Sequence, residues 1–315
     1  MIVVVCLNPA LDITHQVTTV NWGGVNRPAA VHARPGGKGV NVARTLQALG
    51  ADPLLTGLAG GVTGAGIEAA LGRLGVPTAF IPIGAETRRT FTVVDGEGTV
   101  TAFNEAGPEV SEREFTEFRG QYGEALAGAS AVVLSGSLPP GLAAGTYAAL
   151  IETATARGVP VVLDTHGEAL LRGAAAGPAI VKPNLEELAN LTGRRLSTPD
   201  GPDLTAVTAA ADQLRASGAR AVVASLGSAG LLATTGDGRW LARPAAVAGN
   251  PTGAGDAVVA ALAHGLVLGR PWDERLRHAA ALGAATVAAP VAGEFSDADY
   301  AGALSATALH RDEVG

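Results

Sequence analysis

Residues 131–163 have the sequence AVVLSGSLPPGLAAGTYAALIETATARGVPVVL, and this stretch decides the fold class. It begins with a short β-branched run at 131–134, continues into a helical pattern at 143–157 and ends on a second apolar run at 159–163. Short apolar runs are typical of strands buried on both faces. Two such strands joined by a helix favour a right-handed crossover between parallel strands. The stretch therefore predicts a parallel sheet covered by helices.

The same alternation continues on both sides of this stretch. Further buried strands are predicted at residues 2–6, 179–181 and 220–224. Further helices are predicted at residues 39–49, 64–74, 111–127, 185–192 and 203–216. After a hairpin around Gly236-Asp237-Gly238, the pattern is almost wholly helical from about 253 to 309. We therefore expect an α/β fold with a mostly parallel central sheet.

Two segments, residues 11–34 and 88–104, have a period-two pattern instead. In the second segment, residues 89–94 (RTFTVV) are followed by the turn residues Asp95-Gly96-Glu97-Gly98 and a returning strand. We expect these segments to form extra strands outside the main sheet, either as a small lid or as an interaction surface. Since no repeat or linker divides the chain, residues 1–315 are expected to fold as one domain.

The composition excludes several classes of protein. The chain has 29 acidic and 22 basic residues and a formal net charge of −7, which argues against a nucleic-acid partner. Its one cysteine, Cys6, excludes an intramolecular disulfide and favours a reducing compartment. The longest apolar stretches are too short to span a membrane. We therefore predict a soluble, cytoplasmic protein without a membrane partner.

Two glycine-rich segments precede helices and could hold an anion. Residues 35–41 (PGGKGVN) contain Lys38, one of only two lysines in the chain, and residues 252–256 (TGAGD) end on Asp256. Glycines let the main chain approach a ligand closely, and helix N-termini offer free N–H groups. A carboxylate beside such a cradle is placed to take a proton from a hydroxyl that attacks a phosphoryl group. The alternative for residues 35–41 is a glycine-rich turn without a ligand. The alternative for Asp256 is an acid that only stabilises the first turn of its helix.

The second lysine lies in residues 181–187 (VKPNLEE), directly after a predicted strand. Ligand crevices of parallel sheets lie at the carboxyl ends of strands, so Lys182 and Asn184 are expected to lie beside such a crevice. Asn184 and Glu187 are one helical turn apart, so both could face a hydrated magnesium ion. The alternative is a capping box, with Asn184 as N-cap and Glu187 closing it.

Other motifs point to different chemistry or to none. Residues 135–141 (SGSLPPG) and 225–230 (SLGSAG) follow strands, but neither matches the GxSxG elbow of serine hydrolases. Asp12 follows the first strand, and it either binds sugar hydroxyls or is an ordinary turn residue. Residues 64–69 match GxGxxA, with Glu86 about twenty residues later, so a nicotinamide-dependent oxidoreductase is an alternative class. The histidines show no paired metal spacing.

Four of these segments resemble, in chain order, the successive motifs of the ribokinase-like (PfkB) carbohydrate kinases. They are residues 36–41 (GGKGVN), 135–141 (SGSLPPG), 182–184 (KPN) with Glu187, and 250–256 (NPTGAGD). Within the family, the chain is most similar to the 1-phosphofructokinase and tagatose-6-phosphate kinase branch. The resemblance implies a three-layer α/β sandwich with a small β-sheet lid, which in the family often doubles as a dimer interface.

The resemblance also implies roles for individual residues. Asp256 would be the general base, beside an anion hole formed by the main chain of Gly253, Ala254 and Gly255. The sugar phosphate would contact Asp12, Arg27, Gly36, Gly37, Lys38, Asn41, Arg88 and Ser137. ATP would contact Lys182, Asn184, Ser225, Gly227, Gly230 and Thr252, and Glu187 would act on Mg²⁺ through water. Lys38 would thus lie on the sugar-phosphate side and Lys182 on the nucleotide side.

The implied reaction is ATP-dependent phosphorylation of a ketohexose phosphate, and motif resemblance favours fructose 1-phosphate. Tagatose 6-phosphate and fructose 6-phosphate stay open, because a ketohexofuranose carries a CH₂O group on each side of its ring oxygen. Two positions depart from the family: Pro251 replaces a small hydroxylated residue, and Ala102 stands where some 6-phosphofructokinases carry an arginine. A non-catalytic regulator that binds a sugar or a nucleotide is a further alternative, although the presence of Asp256 as a candidate base favours an enzyme. We expect Asp256 to be ionised beside the main-chain dipoles.

Overall fold

A computed structural model describes residues 1–289, 291 and 293–312. Its strands are, in chain order, β1 (Ile2–Cys6), β2 (Ala10–Gln16), β3 (Ala30–Gly36), β4 (Pro53–Gly60), β5 (Thr78–Ile83), β6 (Arg88–Val94), β7 (Val100–Asn104), β8 (Ala131–Ser135), β9 (Val161–Asp164), β10 (Ile180–Val181), β11 (Ser197–Thr198), β12 (Gly201–Pro202), β13 (Val222–Ser225), β14 (Leu231–Thr234), β15 (Arg239–Arg243) and β16 (Ala308–Asp312). Its α-helices are α1 (Lys38–Ala48), α2 (Gly61–Arg73), α3 (Glu112–Ala125), α4 (Thr146–Thr155), α5 (Gly167–Ala175), α6 (Leu185–Thr192), α7 (Leu204–Ala216), α8 (Ala254–Val267), α9 (Trp272–Ala288) and α10 (Asp297–Ala306).

The main sheet has ten strands in the order β16-β15-β14-β13-β10-β9-β8-β1-β4-β5. The strands from β13 to β5 in this order all pair in parallel. The strands β14, β15 and β16 add to one side by antiparallel pairing, and β14 and β15 form the hairpin expected around residue 237. The predicted α/β fold with a mostly parallel central sheet is confirmed.

Helices cover both faces of this sheet. Successive side chains of a strand point to opposite faces, so Val3 and Val5 of β1 join a core cluster with α3 and α4, whereas Ile2 and Val4 join another with α1, α8 and α9. The two clusters form the two interfaces of a three-layer sandwich. No helix in the described part of the chain is long and apolar enough to cross a membrane.

A separate sheet of four strands, in the order β3-β2-β6-β7, is formed by the two segments with period-two patterns. One face is polar: Asp12 on β2 lies opposite Arg34 on β3 and Thr90 on β6. The other face is apolar, with Phe91 opposite Phe103. More than half of the Phe103 side chain, 55%, is exposed. The two segments therefore form a separate sheet, as expected; we refer to it as the lid, a role that stays a prediction.

Several elements differ from the expectation, among them the two-residue strands β11 and β12, which were not predicted. Residues 308–312 form β16 and pair with β15, where the helical pattern had been expected to continue to about 309. The short helix α5 and the strand β5 were not predicted. Pairing with a strand far away in sequence decides β5 and β16, because β5 lies beside β4 and β16 beside β15. Such pairing is invisible to local periodicity.

The GxGxxA stretch is not a dinucleotide-binding turn. Strand β4 continues to Gly60, so Gly64 and Gly66 lie inside α2 and not between a strand and a helix. Glu86 also occupies the N-terminus of α2, where its carboxylate accepts hydrogen bonds from the N–H groups of Val62 and Thr63 at 3.2 and 2.6 Å. A pyrophosphate would need these donors. The oxidoreductase alternative therefore loses its cofactor site.

Gly39 lets α1 lie directly against β1. A Cβ atom at Gly39 would be 2.6 Å from the Cβ of Cys6 and 3.1 Å from the carbonyl oxygen of Val5. This approach fixes the position of the first turn of α1, which carries Lys38 and Asn41.

We predict that Gly39→Ala destabilises the fold by about 1–3 kcal/mol, the usual cost of overpacking, because α1 must shift away from β1. The matched control is Gly66→Ala on α2, where an added Cβ meets no atom within 4 Å. Alanine is the better helix former, so the control should stabilise the fold by up to about 1 kcal/mol. Chemical denaturation measures the free energy of unfolding of both variants, and equal values would contradict the close approach.

Candidate active site

Polar residues converge where the parallel strands end. Asn8 follows β1, Ser135 ends β8, Asp164 ends β9 and Lys182 follows β10. These strands are neighbours in the sheet, so their carboxyl ends share one edge. Helices α1 and α8 also begin beside this edge, since Asn41 near the start of α1 contacts Asp256 near the start of α8.

Asp256 is the buried carboxyl at the centre of this convergence, with only 7% of its surface exposed. The Nδ2 of Asn41 donates a hydrogen bond to its Oδ2 at 2.8 Å. Burial, followed by the negative charge of Asp164, raises the pKa of Asp256 to about 7, although Asn41, Lys38 and Lys182 act in the opposite direction. The expectation of a fully ionised Asp256 is therefore corrected. At neutral pH both the protonated and the ionised form of this carboxyl group are therefore populated.

The turn before Asp256 is the segment predicted to form an anion cradle. Gly253 is the N-cap of α8 and has a left-handed conformation, φ +85°. The N–H of Ala254 donates to the carbonyl oxygen of Pro251 at 3.1 Å. Among the described residues, no main-chain acceptor is bonded to the N–H of Gly253 or Gly255. Of the three amides assigned to the anion hole, these two are the ones left for a ligand.

A second buried carboxylate, Asp164, pairs with both lysines. The Nζ of Lys182 lies 3.1 Å from its Oδ1, and the Nζ of Lys38 lies 3.5 Å from its Oδ2. The hydroxyl of Ser135 also donates to Oδ2 at 3.3 Å. Burial raises the pKa of Asp164, but the two ammonium groups outweigh it and hold the pKa below its ordinary value. Asp164 is therefore ionised.

The two lysines thus meet at one carboxylate, whereas the sequence had placed them on opposite sides of the site. Lys182 is almost fully buried, and its Nζ lies 3.8 Å from the position of a Cβ at Gly255. It lies beside the anion cradle, and it is not among the residues that line the cleft next to the N-terminus of α8. The motif analysis missed Asp164, although the residue directly follows the strand predicted at 159–163. The rule that selected Lys182 would also have found it.

The residues assigned to the sugar form a connected group, with the exception of Arg27. Gly36 has no room for a side chain, because a Cβ there would collide with the carboxylate of Asp12. The hydroxyl of Thr90 donates to Asp12 Oδ1 at 2.6 Å. Asp12 is thus held on the polar face of the lid beside the glycine turn. Arg27 is exposed in the loop between β2 and β3.

Asn8 connects the lid to the turn after β8. Its Nδ2 donates to Ser137 Oγ at 3.1 Å, and its carbonyl accepts from Arg88 Nε at 3.2 Å. Arg88 also donates to the carbonyl of Glu105 at 3.1 Å. Gly37, the N-cap of α1, lies against this strand end, since a Cβ there would be 3.5 Å from the carbonyl oxygen of Asn8. Asn8 is a residue of the site that the motifs did not identify.

A cleft of about 720 Å³ opens beside the N-terminus of α8. This volume is typical of small-molecule sites. Of the residues assigned to ATP, four line it: Asn184, Ser225, Gly227 and Gly230. Part of its lining is apolar and is formed by small aliphatic side chains such as Val247, Ala280, Ala284 and Val287. Thr252 and Lys182 are not among the lining residues.

Glu187 both caps a helix and faces the site. Its Oε2 accepts from the N–H of Asn184 at 2.9 Å, and its N–H donates to Asn184 Oδ1 at 2.8 Å, which completes the capping box. Its Oε1 lies 3.9 Å from Lys38 Nζ. Glu187 and Asp164 therefore flank the same ammonium group. The capping alternative is correct for the main chain, and it leaves one carboxylate oxygen directed toward the site.

The two carboxylates that flank Lys38, those of Asp164 and Glu187, are the candidates for binding a hydrated magnesium ion. In the described ranges, no group of three or more His, Cys, Asp or Glu residues could hold a metal directly. Mg²⁺ commonly keeps several waters and uses one or two carboxylates together with substrate phosphates. Asp164 and Glu187 fit such an ion.

Comparisons with known proteins identify the family of the chain. The model of the pfkB family carbohydrate kinases matches residues 5–298. Phosphofructokinase-2 of Escherichia coli, solved with potassium, is 32% identical, with a TM-score of 0.90 over 97% of this chain and 98% of its own. The same enzyme solved with fructose-6-phosphate is 32% identical, with a TM-score of 0.88 over 97% and 98%. A Thermotoga maritima protein described as a possible 1-phosphofructokinase is 26% identical, with a TM-score of 0.86 over 99% of both chains. The chain therefore belongs to the pfkB family of carbohydrate kinases.

Proposed function

We propose that this kinase transfers the γ-phosphoryl group of ATP to a ketohexose phosphate, and that fructose 1-phosphate is the favoured acceptor. The observation that carries the proposal is the buried Asp256, held by Asn41 next to the amides of Gly253 and Gly255. A carboxyl whose pKa lies near 7 is suited to accept a proton at neutral pH. The main-chain amides beside it are suited to donate hydrogen bonds to the oxygens of the phosphoryl group during its transfer.

The residues of the chain would divide the work as follows. Asn41 occupies Oδ2 of Asp256, which leaves Oδ1 to accept the proton of the sugar hydroxyl. The amides of Gly253 and Gly255 would stabilise the negative charge that develops on the transferred group. ATP would supply the phosphoryl group from the cleft beside α8, with Mg²⁺ neutralising its phosphates near Asp164 and Glu187.

Lys38 would keep a positive charge next to the reacting groups. Burial lowers the pKa of Lys38, but the carboxylates of Asp164, Glu187 and Asp256 outweigh it, and the net pKa is raised. The ammonium group is therefore charged at neutral pH. Its place between Asp164 and Glu187 suits contact with phosphate oxygens entering from either substrate.

The phosphate already present on the sugar is assigned to Lys38, Arg27 and Arg88. The carbonyl groups of Asn8 and Glu105 orient Arg88, and Arg27 would reach the site as the lid closes. Ala102 provides no cation on the lid, and we take this as support for fructose 1-phosphate. Tagatose 6-phosphate and fructose 6-phosphate are the alternative acceptors. The E. coli relative was solved with fructose-6-phosphate.

A coupled assay of ADP release tests the acceptor and the base together. The panel comprises fructose 1-phosphate, fructose 6-phosphate, tagatose 6-phosphate and unphosphorylated sugars, and we predict the highest kcat/KM with fructose 1-phosphate. Asp256→Asn should lower turnover by about 10²–10⁴-fold, the range for loss of a general base. Isothermal calorimetry should show nearly unchanged ATP binding.

The matched control is Asp237→Asn, an acid in the β14–β15 turn. Its turnover should equal that of the wild type. A response to unphosphorylated sugars alone would contradict the phosphate roles of Lys38, Arg27 and Arg88. Near-normal turnover by Asp256→Asn would contradict the base assignment.

The raised pKa of Asp256 predicts a pH dependence. Activity requires the ionised carboxylate, so kcat/KM should rise with pH up to about 7 and then level off. An unfolded Asp has a pKa of about 3.9, so the folded state holds this proton more tightly. The contribution of Asp256 to the free energy of unfolding should therefore fall as pH rises from about 4 to about 7.

The pH–rate profile and denaturation at several pH values measure both effects. In Asp256→Asn, the fall in stability should be smaller than in the wild type, because the amide does not titrate. A kcat/KM that is constant below pH 7 would be inconsistent with a base that has this pKa.

We further propose that the apolar face of the lid joins two copies of the chain. Ile13, Phe91 and Phe103 are adjacent across β2, β6 and β7 on the face opposite Asp12. Val31 and Phe103 are both 55% exposed. Burying such a face against a second copy would remove apolar surface from water.

We predict that the protein elutes as a dimer and that Phe103→Asp is monomeric, because a charge on the apolar face opposes burial. Light scattering coupled to size-exclusion chromatography measures the molar mass. The matched control is Leu171→Asp on α5, an apolar residue that is 45% exposed and far from the lid in sequence. A dimer in the Phe103→Asp variant would rule out this face as the interface.

A further inference from the structure

The carbonyl group of Thr252 determines where the amide of Gly253 points. Its oxygen accepts a hydrogen bond from the N–H of Gly293 at 3.1 Å. A trans peptide unit is planar, so the C=O of Thr252 and the N–H of Gly253 point in opposite directions. Holding the carbonyl on Gly293 therefore directs the Gly253 amide away from Gly293. That amide is one of the two left for a ligand in the anion cradle.

Gly293 is in turn connected to α1 through the next residue. The Oε1 of Glu294 lies 3.0 Å from the Nη2 of Arg44, which is on α1. The side chain of Arg44 is 14% exposed and that of Glu294 is 51% exposed. Arg44 follows Asn41 by three residues, so the two lie on one side of α1. Helix α1 thus holds Asp256 through Asn41 and the cradle through Arg44.

The ion pair has little support from its surroundings. A cavity of about 310 Å³ adjoins it, lined by residues that include Arg44, Gln47, Val76, Glu294 and Phe295. This space leaves the segment around Glu294 without close packing against α1 on that side. The Nη1 of Arg44 is buried and has no hydrogen-bond partner in the described part of the chain. The ion pair with Glu294 is thus the side-chain contact that ties the residue next to Gly293 to α1.

We propose that Arg44 and Glu294 are positioning residues, which orient the Thr252–Gly253 peptide for phosphoryl transfer through Gly293. This inference rests on the proposed function and deepens it. Neither side chain touches a reacting atom. Glu294 is half-exposed, and an ion pair with a solvent-exposed partner contributes little to global stability, so removing its charge should act on turnover more than on folding. An interaction that serves only the transition state lowers kcat without raising KM.

The test variant is Glu294→Gln, which keeps the shape of the side chain and removes its charge. We expect kcat to fall about five- to fiftyfold, which is less than the loss of about 10²–10³-fold on removal of a whole oxyanion-hole donor. KM for ATP and for the sugar phosphate should stay close to the wild-type values. The midpoint of thermal unfolding should also be nearly unchanged.

Two further variants separate positioning from a general effect. Glu274→Gln, an exposed acid on α9, is the matched control and should keep full turnover. The exchanged pair, Arg44→Glu with Glu294→Arg, should recover a large part of the turnover that Arg44→Glu alone loses. Failure of the exchanged pair to recover any turnover would overturn the proposal.

The outcomes distinguish this inference from the proposed function. If the wild type releases ADP with a sugar phosphate and Glu294→Gln does so at the same rate, the positioning role is overturned and the kinase function stands. A rise in KM with constant kcat would also overturn it. If the wild type releases no ADP with any sugar phosphate, the proposed function fails and this inference fails with it.

Discussion

The ion triad of Asp164, Lys38 and Lys182 is the interaction on which the rest of the site depends. A buried carboxylate is tolerated only when it is paired, because removing a charge from water is costly. Pairing this one requires the end of β9, the end of β10 and the start of α1 to meet. The same negative charge helps to raise the pKa of Asp256. One carboxylate thus connects the packing of the sheet edge with the chemistry proposed for it.

The start of α1 depends on close packing as much as on charge. Gly39 brings the helix against β1, and Gly36 makes room for the carboxylate of Asp12. Together they place Lys38 and Asn41 within reach of Asp164 and Asp256. The glycine run therefore combines steric and electrostatic roles, which explains why a bulkier residue would disturb both the fold and the site.

Local patterns predicted much of the fold and of the candidate site. The buried strand at 2–6 and the helix at 185–192 agree with the structure at both ends, because apolar runs and capping residues act over a few neighbours. The polar turns at strand ends were found because parallel strands share an edge. Asp164 was overlooked, although its position after a strand carried the same signal. Asn8 was also overlooked after a predicted strand, and its contacts with Ser137 and Arg88, far along the chain, are visible only in the structure.

The amino-acid sequence by itself determined the α/β class, the extra strands of the small sheet, the family resemblance and the choice of Asp256 as a candidate, since each depends on short local patterns or on the order of such patterns along the chain. The tertiary structure alone decided that both lysines meet at Asp164, that burial raises the pKa of Asp256 to about 7, and that Arg44 pairs with Glu294, next to the Gly293 that binds the carbonyl of Thr252. These properties depend on burial and on charges brought together from distant segments. Electrostatic energy follows distance in space and the exclusion of water, and neither can be read from spacing along the chain.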